Sequence, residues 1–174
     1  SHLRGFARGR TEDFQTLDLY DSLADALFIT NNRILSSGVV AKNDVKKCLY
    51  YTTGCPNNIE QVFVNLITNA CDAMAKQPKR ELTISFSPAK LEDGRDYWRC
   101  NVSDTGTGIP ADILEDIFQA FFTTKEKGKG TGLGLSISRS IVADHKGDLR
   151  VVSKVGEGTT FSVYLPMVKI KRSS

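Results

Sequence analysis

Histidine is nearly absent from this 174-residue chain, which holds only His2 and His145. The four cysteines, Cys48, Cys55, Cys71 and Cys100, make no CxxC pair. A zinc site has too few ligands at workable spacing, and free thiols in a reducing cytoplasm are expected instead. No apolar run approaches the ~20 residues of a membrane helix. The basic opening SHLRGFARGR lacks the apolar stretch of a signal peptide. A large excess of one charge is missing too: the net charge of +3 argues against the concentrated basic face of a nucleic-acid protein. There is no internal repeat and no low-complexity segment. What is present, 40% hydrophobic and 25% charged residues, is the balance of one globular domain with a sizeable core.

Asp18 is placed to cap a helix along which Leu19, Leu23, Ala26, Leu27 and Leu35 recur at helical spacing, with Gly38 to end it. VVAKNDVKKCLYYT suits one or two strands. Pro56 opens a second helix running to about Lys76. LTISFS and YWRCNVSD flank a turn at 92–96 as a hairpin. A short helix is expected after Pro110 and a longer one from about Leu133 to His145. DLRVVSK and GTTFSVYLP form a second hairpin across VGEG. Helices mixed with hairpin-joined strands predict a two-layer α/β sandwich: a mixed, mostly antiparallel sheet with helices on one face.

Three stretches carry chemistry. On the 56–76 helix, Val62, Phe63, Leu66, Ile67, Ala70 and Met74 form an apolar stripe. Asn58, Gln61, Asn65, Asn69, Asp72 and Lys76 form the polar one. Asn65 and Asn69 share a face. They read either as a solvated surface or as a carboxamide ligand for a hard cation such as Mg²⁺. In NVSDTGTGIP, Asp104 ends a strand before Gly106 and Gly108. It is a turn residue, or a carboxylate that accepts from a base amino group where glycines leave room for a flat ring. Lys125, Lys127 and Lys129 interleave with Gly128, Gly130, Gly132 and Gly134 directly before a helix. That pattern suits phosphate at a helix start or a plain flexible loop. The GxGxG spacing at 130–134 does not fit the dinucleotide GxGxxG fingerprint.

Taken in order, NLITNACDAM, DTGTGIP, IFQAFFTTK, GKGTGLGLSIS and GEGTTFSVYLP resemble the catalytic ATP-binding domain of sensor histidine kinases, in the Bergerat-fold superfamily. The likeness covers residues 12–166, and the short FFTTKEKGKGTGLGLS lid is similar to the nitrogen-regulation and oxygen-sensing subgroup. It implies Asn69 as the Mg²⁺ ligand, with Asn65 a turn earlier. Asp104 would read the adenine amino group beside Gly106 and Gly108. Phe118, Phe121 and Phe122 would anchor the lid, and Lys125 would lie near the terminal phosphate. Gly130, Thr131, Gly132, Leu133 and Gly134 form the second glycine box, and Thr159 supports the base. ATP and Mg²⁺ are the implied ligands.

Superfamily ATPases carry a water-activating glutamate where this chain has Asn65, so ATP held for transfer rather than hydrolysis is expected. Asp72 stands where a basic residue is common, which removes one phosphate contact. Lys146 replaces the first glycine of the commoner HGG. The implied organisation is a connector at the end of a dimerisation helix over 1–11, the catalytic domain over 12–168 and a tail over 169–174. His2 lacks the sequence of a phospho-acceptor, and His145 is read as a helix C-terminal cap. The implied partners are the protein's own dimerisation domain with its acceptor histidine, then a response-regulator receiver domain. The full-length protein would be a homodimer with this domain in the cytoplasm, and the fragment alone a monomer. A hydrolysing ATPase and a non-catalytic nucleotide-binding module are the alternatives.

Overall fold

The computed structural model describes residues 14–122 and 134–169. The chain enters along β1 (Gln15–Asp18) and turns into α1 (Leu19–Ser36). Asp18 makes the turn. Its carboxylate accepts the Tyr20 N–H at 3.0 Å, the expected N-cap bond, and the Tyr50 N–H at 3.1 Å. After β2 (Val40–Asn43) and β3 (Tyr51–Gly54), Pro56 opens α2 (Pro56–Ala73), where its missing N–H costs nothing. The hairpin of β4 (Glu81–Lys90) and β5 (Asp96–Asp104) follows. Two 3₁₀ turns at Ala111–Ile113 and Asp116–Phe118 stand where a short helix was expected. Then come α3 (Gly134–Asp144), β6 (Asp148–Lys154) and β7 (Gly158–Pro166).

Five strands form one sheet in the order β2-β4-β5-β7-β6. Only β2–β4 is parallel; the other pairs are antiparallel. The strands alternate through most of their length, with Tyr97 and Tyr164 also buried. Leu82, Ile84, Cys100, Val102, Phe161, Val163 and Leu165 point into the core. The opposite face is polar, with Ser103 Oγ 2.7 Å from Thr160 Oγ1 and Ser162 Oγ donating to Asn101 Oδ1 at 2.6 Å. One covered face and one polar face is the expected sandwich. The α2 stripe fills the space between: Val62, Phe63, Leu66, Ile67 and Met74 are each 1% exposed or less. All four cysteines are unpaired.

Two expectations need correction. Leu35 is not a core residue: it is 67% exposed, and Ile34 takes the buried position in the last turn of α1. β1 was not foreseen as a strand, yet it pairs with β3 in a separate two-stranded antiparallel ribbon.

Lys146 acquires a physical account. It follows α3 with φ of 59°, in the left-handed region. Its N–H donates to Ala143 O at 3.0 Å, and the Gly147 N–H donates to Val142 O at 2.9 Å. Those two bonds make a Schellman ending, whose left-handed residue is ordinarily glycine. Gly147 is fixed by a different constraint, because a Cβ there would sit 2.1 Å from the Tyr164 carbonyl oxygen. The two positions should therefore respond oppositely. Lys146→Gly should stabilise the domain by about 0.5–1 kcal/mol, the left-handed strain relieved less the entropy of glycine. Gly147→Ala should destabilise it. Urea unfolding of both variants checks the signs.

Candidate functional site

The site lies where α2, the turn after β5 and the start of α3 meet. The α2 face carrying Asn65, Asn69 and Asp72 is only partly covered. Asn65 Nδ2 donates to Gly134 O at 3.2 Å and to Ser138 Oγ at 3.1 Å. The carboxamide thus ties α2 to the first turn of α3. Gly134 packs here, where an added Cβ would stand 3.9 Å from the Asn65 side chain. The half-buried Asn69 carboxamide, one turn on, has no hydrogen-bond partner among the described residues. Asp72 is ion-paired with Arg33 of α1. A guanidinium from a distant helix therefore stands beside the position where sequence comparison expected a missing cation.

The last turn of α2 abuts the glycine turn. Thr107 N–H donates to Ala73 O at 3.1 Å, and a Cβ on Gly106 would lie 2.7 Å from that same oxygen. Gly108 takes φ of 76°, and a Cβ there would meet the Lys154 carbonyl oxygen at 2.2 Å. No side chain fits at either position, which is why the turn needs glycine twice. Thr105 Oγ1 fixes the base of the turn, accepting the Glu81 N–H at 3.0 Å and donating to Lys79 O at 2.9 Å.

Asp104 is 7% exposed at the end of β5. Its Oδ1 accepts the Gly106 N–H at 2.8 Å, and the Thr159 N–H also donates to the carboxylate. Burial pushes the Asp104 carboxyl above the ordinary carboxylate range, and these two N–H groups pull it part of the way back. A carboxylate oxygen has lone pairs beyond those the backbone N–H groups take, and these remain open to a further donor. Thr159 lies directly opposite on β7, and Ser153 opposite that on β6. The three form a polar row across the end of an otherwise apolar face. Gly158 lets the strands approach, since a Cβ there would stand 2.0 Å from Asp104 O.

The aromatic residues separate. Phe118 packs edge-on to Phe161 at 6.4 Å with Arg139 over its face at 4.7 Å. Phe122 is half-buried against the core. Phe121 turns outward, 74% exposed, with φ of 68°. Lys125, Gly130, Thr131, Gly132 and Leu133 lie outside the described residues.

His145 ends α3, as its reading as a cap requires. It is 3% exposed, with Nδ1 2.7 Å from Ile141 O, and it stacks on Phe14 at 4.5 Å. Its Nε2 accepts the Cys55 N–H at 3.0 Å, capping the start of α2 as well. That second contact leaves no trace in sequence spacing. Nor do Ser153, Arg33 and Arg139, which reach the site from other elements.

This geometry defines a class: an α/β sandwich in which a strand-end carboxylate, Asp104, stands near a helix-borne asparagine pair, Asn65 and Asn69. The family model described as histidine kinase-, DNA gyrase B-, and HSP90-like ATPase matches residues 54–169, and the chain belongs to that family. Among curated relatives, the sensor kinase CckA of Brucella abortus is 42% identical over 98% of this chain and 19% of its own length. Sporulation kinase C of Bacillus subtilis is 34% identical over 96% of this chain and 37% of its own length. The chain thus spans well under half of these multidomain relatives. The catalytic domain of histidine kinase ThkA superposes with a TM-score of 0.71 at 26% identity, covering 88% of this chain and 97% of that one. Full-length ShkA in complex with AMPPNP gives 0.74 at 24% identity, over 90% of this chain and 32% of that one. The chain is similar to the ATP-binding catalytic part of sensor histidine kinases.

Proposed function

We propose that this domain binds Mg–ATP and transfers the γ-phosphoryl group to a histidine on a separate dimerisation domain, in two-component signalling. The observation that carries the choice is Asn65. It occupies the position of the superfamily's water-activating acid, and its amide is committed as a donor to Gly134 O and Ser138 Oγ. A carboxamide is no general base, so the site favours holding ATP for an incoming acceptor over hydrolysing it.

In this reading Asp104 takes the adenine amino group, and Thr159 supports the base. Asn69 fits Mg²⁺, because its carboxamide oxygen is hard and lacks a competing partner among the described residues. When bound, the ion neutralises charge on the phosphates. Phe118 and Phe122 anchor the segment that Lys125 and the glycines 130–134 belong to, and its shortness supports the nitrogen-regulation-like subgroup. The proposed partners are a dimerisation domain with its own acceptor histidine, then a receiver domain. No described helix is long and apolar enough to cross a membrane, and we place the domain in the cytoplasm.

The domain should not label itself. His145 is buried with both ring nitrogens engaged, so it cannot line up with a γ-phosphate. His2 is followed by Leu3 and Arg4, not by an acid. Incubation with γ-labelled ATP and Mg²⁺ should leave the domain unlabelled and release little free phosphate. A supplied dimerisation domain should acquire acid-labile label. Steady hydrolysis without transfer points to an ATPase; binding with neither points to a regulatory module.

A further inference from the structure

Asp72 sits in the last turn of α2, where the helix dipole disfavours a carboxylate. It is ion-paired with Arg33 in the last turn of α1, where the dipole favours a cation. The Arg33 side chain is 51% exposed and that of Asp72 21%. An ion pair this open to water is weak, so the guanidinium can change partner at little loss. The backbone beneath it is fixed, because the Arg33 carbonyl accepts the Ser37 N–H at 3.0 Å.

Asn69 stands three residues before Asp72 on the same stripe, a spacing that brings Cβ atoms to about 5–6 Å. A phosphate chain held at Asn69 through Mg²⁺ therefore meets two groups toward α1: a carboxylate that repels it and a guanidinium that attracts it. A phosphate chain carries more charge than one carboxylate. It also offers the guanidinium fork the same paired oxygens. Of the two partners it is the stronger.

We propose that Arg33 is a phosphate-binding residue supplied by α1, which rests on Asp72 until nucleotide arrives and then exchanges that carboxylate for the phosphate chain. Asp72 keeps the cation within reach and sets the cost of releasing it. The exchange also links α1 to the nucleotide state of α2, since the bond between their last turns is the one given up.

This rests on the Mg–ATP reading of Asn69, and the test separates the two. Mg–ATP and adenosine are titrated calorimetrically into the intact domain, Arg33→Gln, Asp72→Asn, the double variant and Lys76→Gln, with urea unfolding alongside. Adenosine has no phosphates and reports the rest of the site. Arg33→Gln should weaken ATP about fivefold to tenfold and leave adenosine unchanged. Asp72→Asn should tighten ATP, because the guanidinium no longer has a carboxylate to leave. For the same reason, the loss from Arg33→Gln should be larger in the Asp72→Asn background than in the parent. Lys76→Gln removes an exposed charge one turn beyond Asp72 and should change ATP affinity less than about twofold. Should Arg33→Gln not fold, Arg33→Met, which keeps an aliphatic stem, carries the same comparison. If the loss vanishes in the Asp72→Asn background, Arg33 only screens Asp72 and the proposal falls. Equal losses for ATP and adenosine, a purely structural effect, overturn it as well. So does a loss in Lys76→Gln equal to that in Arg33→Gln, which is general electrostatics. A parent domain that binds ATP no more tightly than adenosine overturns the phosphate reading of Asn69, and this proposal with it.

Discussion

Replacing Asp104 by Asn should cut ADP affinity by roughly 30- to 150-fold, the equivalent of about 2–3 kcal/mol for a hydrogen bond to a buried charge. Asn keeps one acceptor oxygen, which the Gly106 N–H claims, and so turns its NH2 toward the ligand's amino group, donor against donor. A site built to hydrogen-bond one ligand group discriminates sharply once that group is unmatched. Asp104→Ala should do the same. Folding should survive, for a reason visible in the charge. A carboxyl raised by burial contributes stability in its protonated form, present below the unfolded value and lost as pH rises through the folded one. Asn carries no titrating proton and is spared that loss as pH rises. The same sign predicts that ADP binding by the parent weakens as pH falls through the raised Asp104 value, earlier than for an ordinary aspartate. Calorimetric titration of a folded Asp104→Asn at parental affinity would sink the assignment.

Asn69→Ala should abolish the Mg²⁺ dependence of ATP binding and reduce transfer to a supplied dimerisation domain by roughly 100-fold or more. The estimate follows from the several kcal/mol of charge stabilisation that a metal gives a phosphoryl oxygen. Mg²⁺ takes few protein ligands and keeps several waters and phosphate oxygens, so one carboxamide is a large share of what the chain contributes. Stability should barely change, because Asn69 is half-buried and bonds to no described residue. Titration of ATP with and without Mg²⁺, then transfer under each condition, measures both effects. A variant that transfers at the parental rate removes Asn69 from the role.

Most of the scaffold could be read from the chain because periodicity reports which face of an element is covered. The α2 stripe from Val62 to Met74 and the alternation along β4, β5 and β7 state their own burial. Leu35 misled because it stands one position out of phase with the buried stripe of Leu23, Ala26, Thr30 and Ile34, whose register a threonine disguises. β1 escaped because four residues hold too little alternation, and its partner β3 lies far along the chain. At the site, the turn of Asp104, Gly106 and Gly108 was legible because aspartate and glycine mark a strand-ending turn locally, although the backbones the two glycines approach, at Ala73 and Lys154, are distant in sequence. The His145–Cys55 bond, the Arg33–Asp72 pair and the Ser153–Ile109 bond are not local. Each joins residues whose own neighbours give no hint of the other. Asn65 was recognised as a departure from an acid, but its use as a tie to Gly134 and Ser138 needed three dimensions.

The double fastening of α3 bears on how this domain can diversify. Asn65 grips its first turn, and His145 locks its last turn to the start of α2. On the other side of the undescribed stretch, Phe122 is seated against the core with its N–H on Gln119 O. The stretch 123–133 is thus bracketed by two anchorages that do not depend on what lies between them. Doubling the length of such a connection costs only about 0.6 kcal/mol in closure entropy. Lineages can therefore exchange, lengthen or shorten that connection while the sheet and its helices keep the same packing.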